Sequence, residues 1–295
     1  MLPASTNPGG NESQGSGASN GQAIDYQNPA GHAPSRDNGI VFASDSQTTH
    51  GNSRLPGNKI SILEFETGKA LVAQSGSSDL SGRAVQILTE KAKRARISDE
   101  MSVARLAEES VREVHNHLRD VYQGCDFSAD DWQRYFLDQD QYFELLIGHY
   151  IGEKPYIYKV NLSWCLAVKS TNYFETSGCG GDLGNYLLKQ YSETGMSWAV
   201  GAVTATYVVE EVIKHDIYCS APTRVGVIRM ITDLPPNPDG TQSAGVETAW
   251  ILKDDLMQRI CKAISDIDEE RKKERTDKIL KRMRELGEQS LKPSS

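Results

Sequence analysis

The stretch from Gly39 to Ile60, GIVFASDSQTTHGNSRLPGNKI, constrains the fold more than any other part of the chain. An apolar run from Gly39 to Ala43 leads into Asp45. Polar and glycine-rich residues follow, and a second apolar run begins at Lys59 and continues through Ile60, Ile62, Leu63 and Phe65. Short apolar runs bounded by turn-forming residues read as buried strands. The segment therefore reads as a hairpin and loop, with an acid and a base at the mouths of adjacent strands.

Downstream, the hydrophobic period changes. Ser77 or Ser78 is placed to cap a helix whose apolar positions Leu80, Ala84, Ile87 and Leu88 share one face. A second helix is expected to start near Ser98, because Val103, Ala107, Val111, Val114, Leu118 and Val121 form a stripe at helical spacing. An acidic, aromatic loop runs from Cys125 to Gln141. Strand-like runs follow at Tyr142 to Tyr150, Tyr156 to Leu162 and Trp164 to Val168, with Gly152 to Pro155 as the turn between the first two. Two more helices are expected from about Asp182 to Tyr191 and from about Ser197 to His215. The latter is apolar nearly all round, so it should be covered on more than one side. Val225 to Ile231 reads as a closing strand. Helices segregated from antiparallel strands predict an α+β domain, with helix layers outside two packed sheets.

The ends differ from this middle. Residues 1–38 are rich in Gly, Ser and Asn with almost no large aliphatic side chains, a composition that cannot offset its ordering entropy. The segment Ala23 to Asn38 carries Pro29 and Pro34 and no apolar alternation, which makes it a poor central strand. The expected organisation is a disordered segment over 1–38 lacking a first strand, a domain over 39–231, and a tail over 232–295. In that tail a Pro/Gly loop, PPNPDGTQSAG, precedes a helical candidate from about Ala249 to Glu288. Its charged run EERKKERTDK favours a solvated helix, or a docking arm for a neighbouring subunit or regulator.

With 295 residues, 38% of them hydrophobic, the chain can bury a sizeable core. A net charge of −8 argues against nucleic acid or an anionic membrane as partner, since both require a basic surface. No apolar run is long enough to span a bilayer, and the amino terminus lacks the pattern of a signal peptide. The five cysteines, Cys125, Cys165, Cys179, Cys219 and Cys261, are odd in number and widely spaced, which suggests free thiols in a reducing cytoplasm.

Four blocks in order resemble the proteasome β-subunit family and its simpler bacterial relative, the ATP-dependent threonine peptidase: Gly39 to Ile60, Val72 to Gly76 before a helix, SGCGGDLGNYLLKQY from Ser177 to Tyr191, and HDIYCSAPTRVGVIRM from His215 to Met230. Within the first block Asp45, Thr49, Gly51, Asn52, Asn58, Lys59 and Ile60 stand at matching places. The resemblance implies a four-layer αββα sandwich of the N-terminal-nucleophile (Ntn) hydrolase type, a homo- or hetero-oligomeric ring, peptide or unfolded protein as substrate, and a role in protein degradation. It also implies that Lys59 is the lysine beside the nucleophile and Asp45 its partner. Asp216 and Cys219 would hold the nucleophile's amine, and the supporting serine of the glycine-rich turn would fall on Gly178, with Ser177 next to it.

The departure from that family is the nucleophile itself. Counting back a strand of about six to eight residues and its turn lands near Asn28 to Ala30, where there is no threonine. Either this is a peptidase subunit whose nucleophile is missing from the chain, or it is a noncatalytic structural or assembly subunit of a ring. The residues also allow blander readings: Asp45 and Lys59 as a structural ion pair, Asp216 and Cys219 as turn and core residues. Cys179 lacks an upstream histidine pattern for a thiol nucleophile. Thr48 and Thr49 lie inside the chain. His115 and His117 point to different faces of a helix and are not a metal pair, and Asp138 and Asp140 lack the remainder of a calcium loop. No cofactor or metal is implied.

Overall fold

Alternate residues of one strand, Gly39–Ser44, enter two different cores, and all six are buried. Ile40 and Phe42 pack with Ile60, Leu71, Leu146, Ile157 and Ile228. Val41 and Ala43 pack with Leu188, Ala205, Val208, Val209, Val225 and Val227. A strand covered on both faces must be apolar throughout, which is why the sequence shows a run here and no alternation.

The structure is a computed structural model, and it describes residues 21–25, 39–50, 53–121, 128, 131, 134, 142–192, 196–231 and 246–290. The chain begins with strands β1 (Gly21–Asp25), β2 (Gly39–Ser44), β3 (Gln47–His50), β4 (Ser53–Pro56), β5 (Ile60–Phe65) and β6 (Gly68–Gly76). Helices α1 (Ser78–Ala92) and α2 (Ser102–Val121) follow, then β7 (Phe143–Ile151), β8 (Lys154–Asn161), β9 (Ala167–Lys169) and β10 (Phe174–Ser177). Helices α3 (Gly181–Tyr191) and α4 (Trp198–His215), strands β11 (Arg224–Ile231) and β12 (Val246–Ile251), and helix α5 (Asp254–Ser290) complete it.

One five-stranded sheet has the order β10-β1-β2-β11-β12 and the other β5-β6-β7-β8-β9; β3 and β4 form a separate ribbon. All the pairings are antiparallel. Helices α1 and α2 cover the outer face of the second sheet through Ala84, Leu88, Val103, Ala107 and Val111 against Leu63, Val72, Leu145 and Val160. Helix α4 and the first turns of α5 cover the first sheet, where Met257 packs beside Leu252 and Val227. Ile40, Phe42, Leu71 and Leu146 fill the space between the sheets. The result is the expected four-layer αββα sandwich, an α+β architecture.

Several sequence expectations are corrected. The runs at Gly39 and Ile60 do not form a hairpin: β2 and β5 lie in opposite sheets, and the β3–β4 ribbon lies between them in the chain. A first strand is present, since β1 lies between β2 and β10. It falls upstream of Pro29 and Pro34, whose rings would block ladder hydrogen bonds. The remainder of 1–38 lies outside the described residues.

The second helix starts at Ser102, because the Ser102 hydroxyl accepts the backbone N–H groups of Ser98 (3.1 Å) and Asp99 (3.0 Å) and holds the preceding residues in a turn. Strand β12 occupies Val246–Ile251, where the helical reading begins at Ala249, so the first sheet extends past the expected boundary at 231. Its residues pair along β11, and that ladder outweighs their weak helical period. Strand β10 also escaped the sequence reading. The loops at 125–141 and 235–245 lie largely outside the described residues.

Candidate functional site

Asp45 leaves the end of β2 and Lys59 immediately precedes β5, so the ends of the two sheets bring acid and base together from opposite layers. Lys59 Nζ lies 2.7 Å from Asp45 Oδ1, and the side chains are 3% and 0% exposed. Asp45 Oδ2 accepts the backbone N–H of Gln47 at 2.9 Å and that of Ser220 at 3.4 Å. The loop is pinned further by the Ser46 N–H, which donates to the Ser220 carbonyl at 3.1 Å, and by the Ser46 hydroxyl, which donates to the Pro222 carbonyl. On the other side the Gln74 N–H donates to the Lys59 carbonyl at 2.9 Å. Burial pulls the Lys59 ammonium below its ordinary range, while Asp45 acts in the opposite sense.

Asp216 and Cys219 come from the far end of α4. The Asp216 N–H closes the helix on the Val212 carbonyl at 2.8 Å, and the Asp216 carbonyl accepts the Cys219 N–H at 3.1 Å. Asp216 Oδ1 accepts the Tyr218 N–H at 2.8 Å. Cys219 is buried, and its Sγ lies 3.9 Å from Cys179 Sγ. The hydrogen bond with Cys179, then burial, then the charges of Asp45 and Asp216 push the Cys219 thiol far up. Both thiols act on the charge of Lys59, which ties this cluster to the ion pair.

The glycine-rich turn brings Cys179 against Cys219, beside Gly178, where the resemblance puts the supporting position. Gly178 has φ +89°, a left-handed conformation that side chains avoid. Gly178 shapes the turn and the next residue reaches the site. The signal in SGCGG was legible as a turn; that Cys179 faces Cys219 was not.

The third contribution is backbone. Gly21, the first residue of β1, is in register with Ser44 on one side and Ser177 on the other. The upstream end of β1 thus opens between the residue before Asp45 and the turn that carries Cys179. Beside it, the Ser177 hydroxyl donates to Glu144 Oε2 at 2.5 Å, Ser75 Oγ lies 2.5 Å from Ser177 Oγ, and the Tyr142 hydroxyl donates to Glu144 Oε1 at 2.5 Å. Sequence reasoning missed this partly buried network, whose members come from three separate segments.

All four residues singled out from sequence, Asp45, Lys59, Asp216 and Cys219, are brought to the same end of the sandwich. Thr48 and Thr49 lie in the β3–β4 ribbon, paired with Leu55 and Arg54. His115 and His117 sit on α2, and Asp138 and Asp140 fall outside the described residues.

No protein-family model and no curated protein sequence matches the chain. Solved structures do. Anbu (ancestral beta-subunit) from Yersinia bercovieri superposes with a TM-score of 0.58 at 16% identity, covering 84% of this chain and 93% of its own. Anbu from Hyphomicrobium sp. strain MC1 gives 0.54 at 13% identity, with 85% and 95% covered. The Anbu complex from Pseudomonas aeruginosa, solved as a helical assembly, gives 0.56 at 15% identity, with 85% and 96% covered. The fold is shared with these proteins. It is the proteasome-like Ntn fold. The assignment to proteasome β-subunits or the ATP-dependent threonine peptidase is corrected accordingly: the similar structures named here are Anbu proteins, and no sequence family supports the narrower assignment. No helix among the described residues is long and apolar enough to cross a membrane.

Proposed function

We propose that this chain is a proteasome-like subunit that hydrolyses peptide bonds through an amino-terminal nucleophile created by cleavage upstream of β1. The observation that carries the reading is the register of Gly21 between Ser44 and Ser177. A chain terminus at this end of β1 lies beside a buried lysine held by a buried aspartate. The nearest hydroxyl upstream of Gly21 is Ser19, two residues away and so within about 7 Å along an extended chain.

Cleavage before Ser19 converts its backbone nitrogen into an α-amine that can accept the hydroxyl proton as the oxygen attacks a carbonyl. The Lys59 ammonium lowers the proton affinity of that amine and favours the developing alkoxide; Asp45 keeps Lys59 aimed. Asp216 and Cys219, at the same end of the sandwich, would supply groups able to accept hydrogen bonds from the amine. The Ser177–Glu144 pair supports the turn beside it.

Intact mass and amino-terminal sequencing of the protein from its native source, together with hydrolysis of fluorogenic peptides, test the reading. The expected result is a chain beginning at Ser19, active, and inactive as the Lys59→Arg variant while its far-ultraviolet circular dichroism stays native. A chain that retains residues 1–18 and hydrolyses nothing overturns it.

A noncatalytic assembly subunit is the second reading, favoured by one observation: β1 (GQAID) opens on glycine and contains no hydroxyl. Either subunit is proposed to self-associate through the α3–α4 layer, where Tyr186, Val200 and Val203 are 58%, 49% and 45% exposed. A monomeric mass by light scattering at micromolar concentration would remove that part. Thiols at Cys165, Cys179, Cys219 and Cys261 without disulfides suit a reducing, cytoplasmic compartment.

A further inference from the structure

Two sulfurs and a carboxylate converge beside the ion pair: ligand-capable atoms of Cys179, Asp216 and Cys219 all lie within 4.8 Å of one another. We propose that these three side chains bind a zinc-type divalent cation through two thiolates and one carboxylate, leaving one coordination position open. The inference goes beyond hydrolysis and stands without it, because the cation needs neither a processed terminus nor a substrate.

The spacing supports it first. Tetrahedral zinc with Zn–S bonds of about 2.3 Å has ligand-to-ligand edges of roughly 3.8 Å. The Cys179 and Cys219 sulfurs are 3.9 Å apart, so they need little movement. A disulfide needs an S–S distance near 2.05 Å, and the two sulfurs would have to close by almost half their separation. The donor set comes second. Thiolates select zinc over magnesium or calcium, which take oxygen ligands.

Support around the ligands comes third. Asp216 Oδ1 accepts the Tyr218 N–H at 2.8 Å, and the Asp216 carbonyl accepts the Cys219 N–H at 3.1 Å. These bonds orient the carboxylate and fix its offset from Cys219, as the surroundings of metal ligands commonly do. Cys179 is exposed and Cys219 buried, so the cation has a path from solvent to an inner ligand.

Electrostatics is the main objection, because the Lys59 charge faces both thiols. Asp45 offsets that charge at 2.7 Å. Each thiol also gives up its proton on binding, so two protons leave as one divalent cation arrives, and the net charge of the site does not change.

Cobalt(II) titration of the full, phosphine-reduced chain tests the proposal, because cobalt occupies zinc sites and its thiolate bonds give a near-ultraviolet charge-transfer band. The expected result is one saturable cobalt per chain with a tetrahedral visible spectrum, displaced by zinc. Exposed Cys179 is the informative substitution. Cys179→Ser should weaken binding at least ~10-fold and reduce the band by about half while the far-ultraviolet circular dichroism stays native. Asp216→Asn should weaken binding and retain the band; Cys261→Ser, whose thiol contacts Glu210 and is not among the three ligands, should change nothing. No saturable band near stoichiometric cobalt, or a band indifferent to Cys179→Ser, overturns the site.

Discussion

Lys59 and Asp45 join the two sheets at one end of the sandwich through a 2.7 Å contact that is almost entirely removed from solvent. A partly exposed pair of this kind would be worth about 1 kcal/mol. Burial changes the balance. Each charge has lost its hydration, and what replaces it is the partner together with the N–H groups of Gln47 and Ser220. The pair is therefore costly to break from one side, whatever its net contribution as a pair.

Lys59→Ala should destabilise the protein by about 3–5 kcal/mol in denaturant unfolding, because it strands the Asp45 carboxylate in a buried site. The Asp45→Asn, Lys59→Met double variant should recover most of that loss. A single-variant loss near 1 kcal/mol, the value typical of exposed pairs, would contradict the burial argument.

His149 should make the protein acid-sensitive well above the usual carboxylate range. It is fully buried on β7, stacked near Tyr156 and Tyr158 with ring centroids 5.7 and 5.9 Å away. Burial pulls its pKa to about 4; the Tyr150 and Glu100 backbone and the Asp99 and Glu100 charges oppose this. Between pH 6.5 and about 4 the unfolded chain binds a proton that the folded chain does not, so stability falls as pH falls through this window. The full difference corresponds to about 3 kcal/mol. Unfolding curves at pH 7, 5 and 4 should show that loss in the native protein and a flatter profile in His149→Phe. Parallel profiles would reject the assignment.

The layers were legible because strands buried on both faces, such as β2, and helices with one apolar stripe, such as α2, leave unambiguous patterns. Asp45 and Lys59 were legible for the same reason, standing where apolar runs begin or end. That their strands lie in different sheets was not, since pairing partners are tertiary facts that local pattern does not carry. Strand β1 escaped because its stability rests on backbone pairing to β2 and β10, and strand β12 because its alternation depends on β11. Cys179 escaped because its role depends on contact with Cys219, 40 residues away.

Glu247 on β12 should respond in the opposite direction to His149. It accepts the Lys69 N–H at 2.5 Å between the two sheets. Burial pushes its carboxyl up to about 7, with Lys69 opposing. The folded state therefore holds the proton more tightly than the unfolded chain, and this contribution to stability is lost as pH rises from about 4.5 through 7. Glu247→Gln keeps an acceptor for Lys69 without the charge. It should match the native protein at pH 5 and exceed it by about 1 kcal/mol at pH 8, after allowance for solvent screening. Equal stability of the two at pH 8 would show that the carboxylate is solvated.

Gly226 and Gly148 are two points of close approach between the sheets. A Cβ on Gly226 would sit 2.8 Å from Ile60 Cγ2, and one on Gly148 would sit 2.8 Å from Ile40 Cγ2. Neither glycine has a positive φ, so what each position lacks is space. Gly226→Ala and Gly148→Ala should each cost about 1–3 kcal/mol from overpacking. Gly82, in α1, has nothing within 4 Å of an added Cβ, and Gly82→Ala should stabilise by about 0.5–1 kcal/mol through helix propensity. The opposite signs separate a packing cost from a general glycine effect. Ile60 directly follows Lys59, so sheets pushed apart at Gly226 should also lengthen the Lys59–Asp45 contact. Gly226→Ala should therefore reduce the penalty of Lys59→Ala in the double variant; strict additivity would show that sheet spacing and the ion pair are independent.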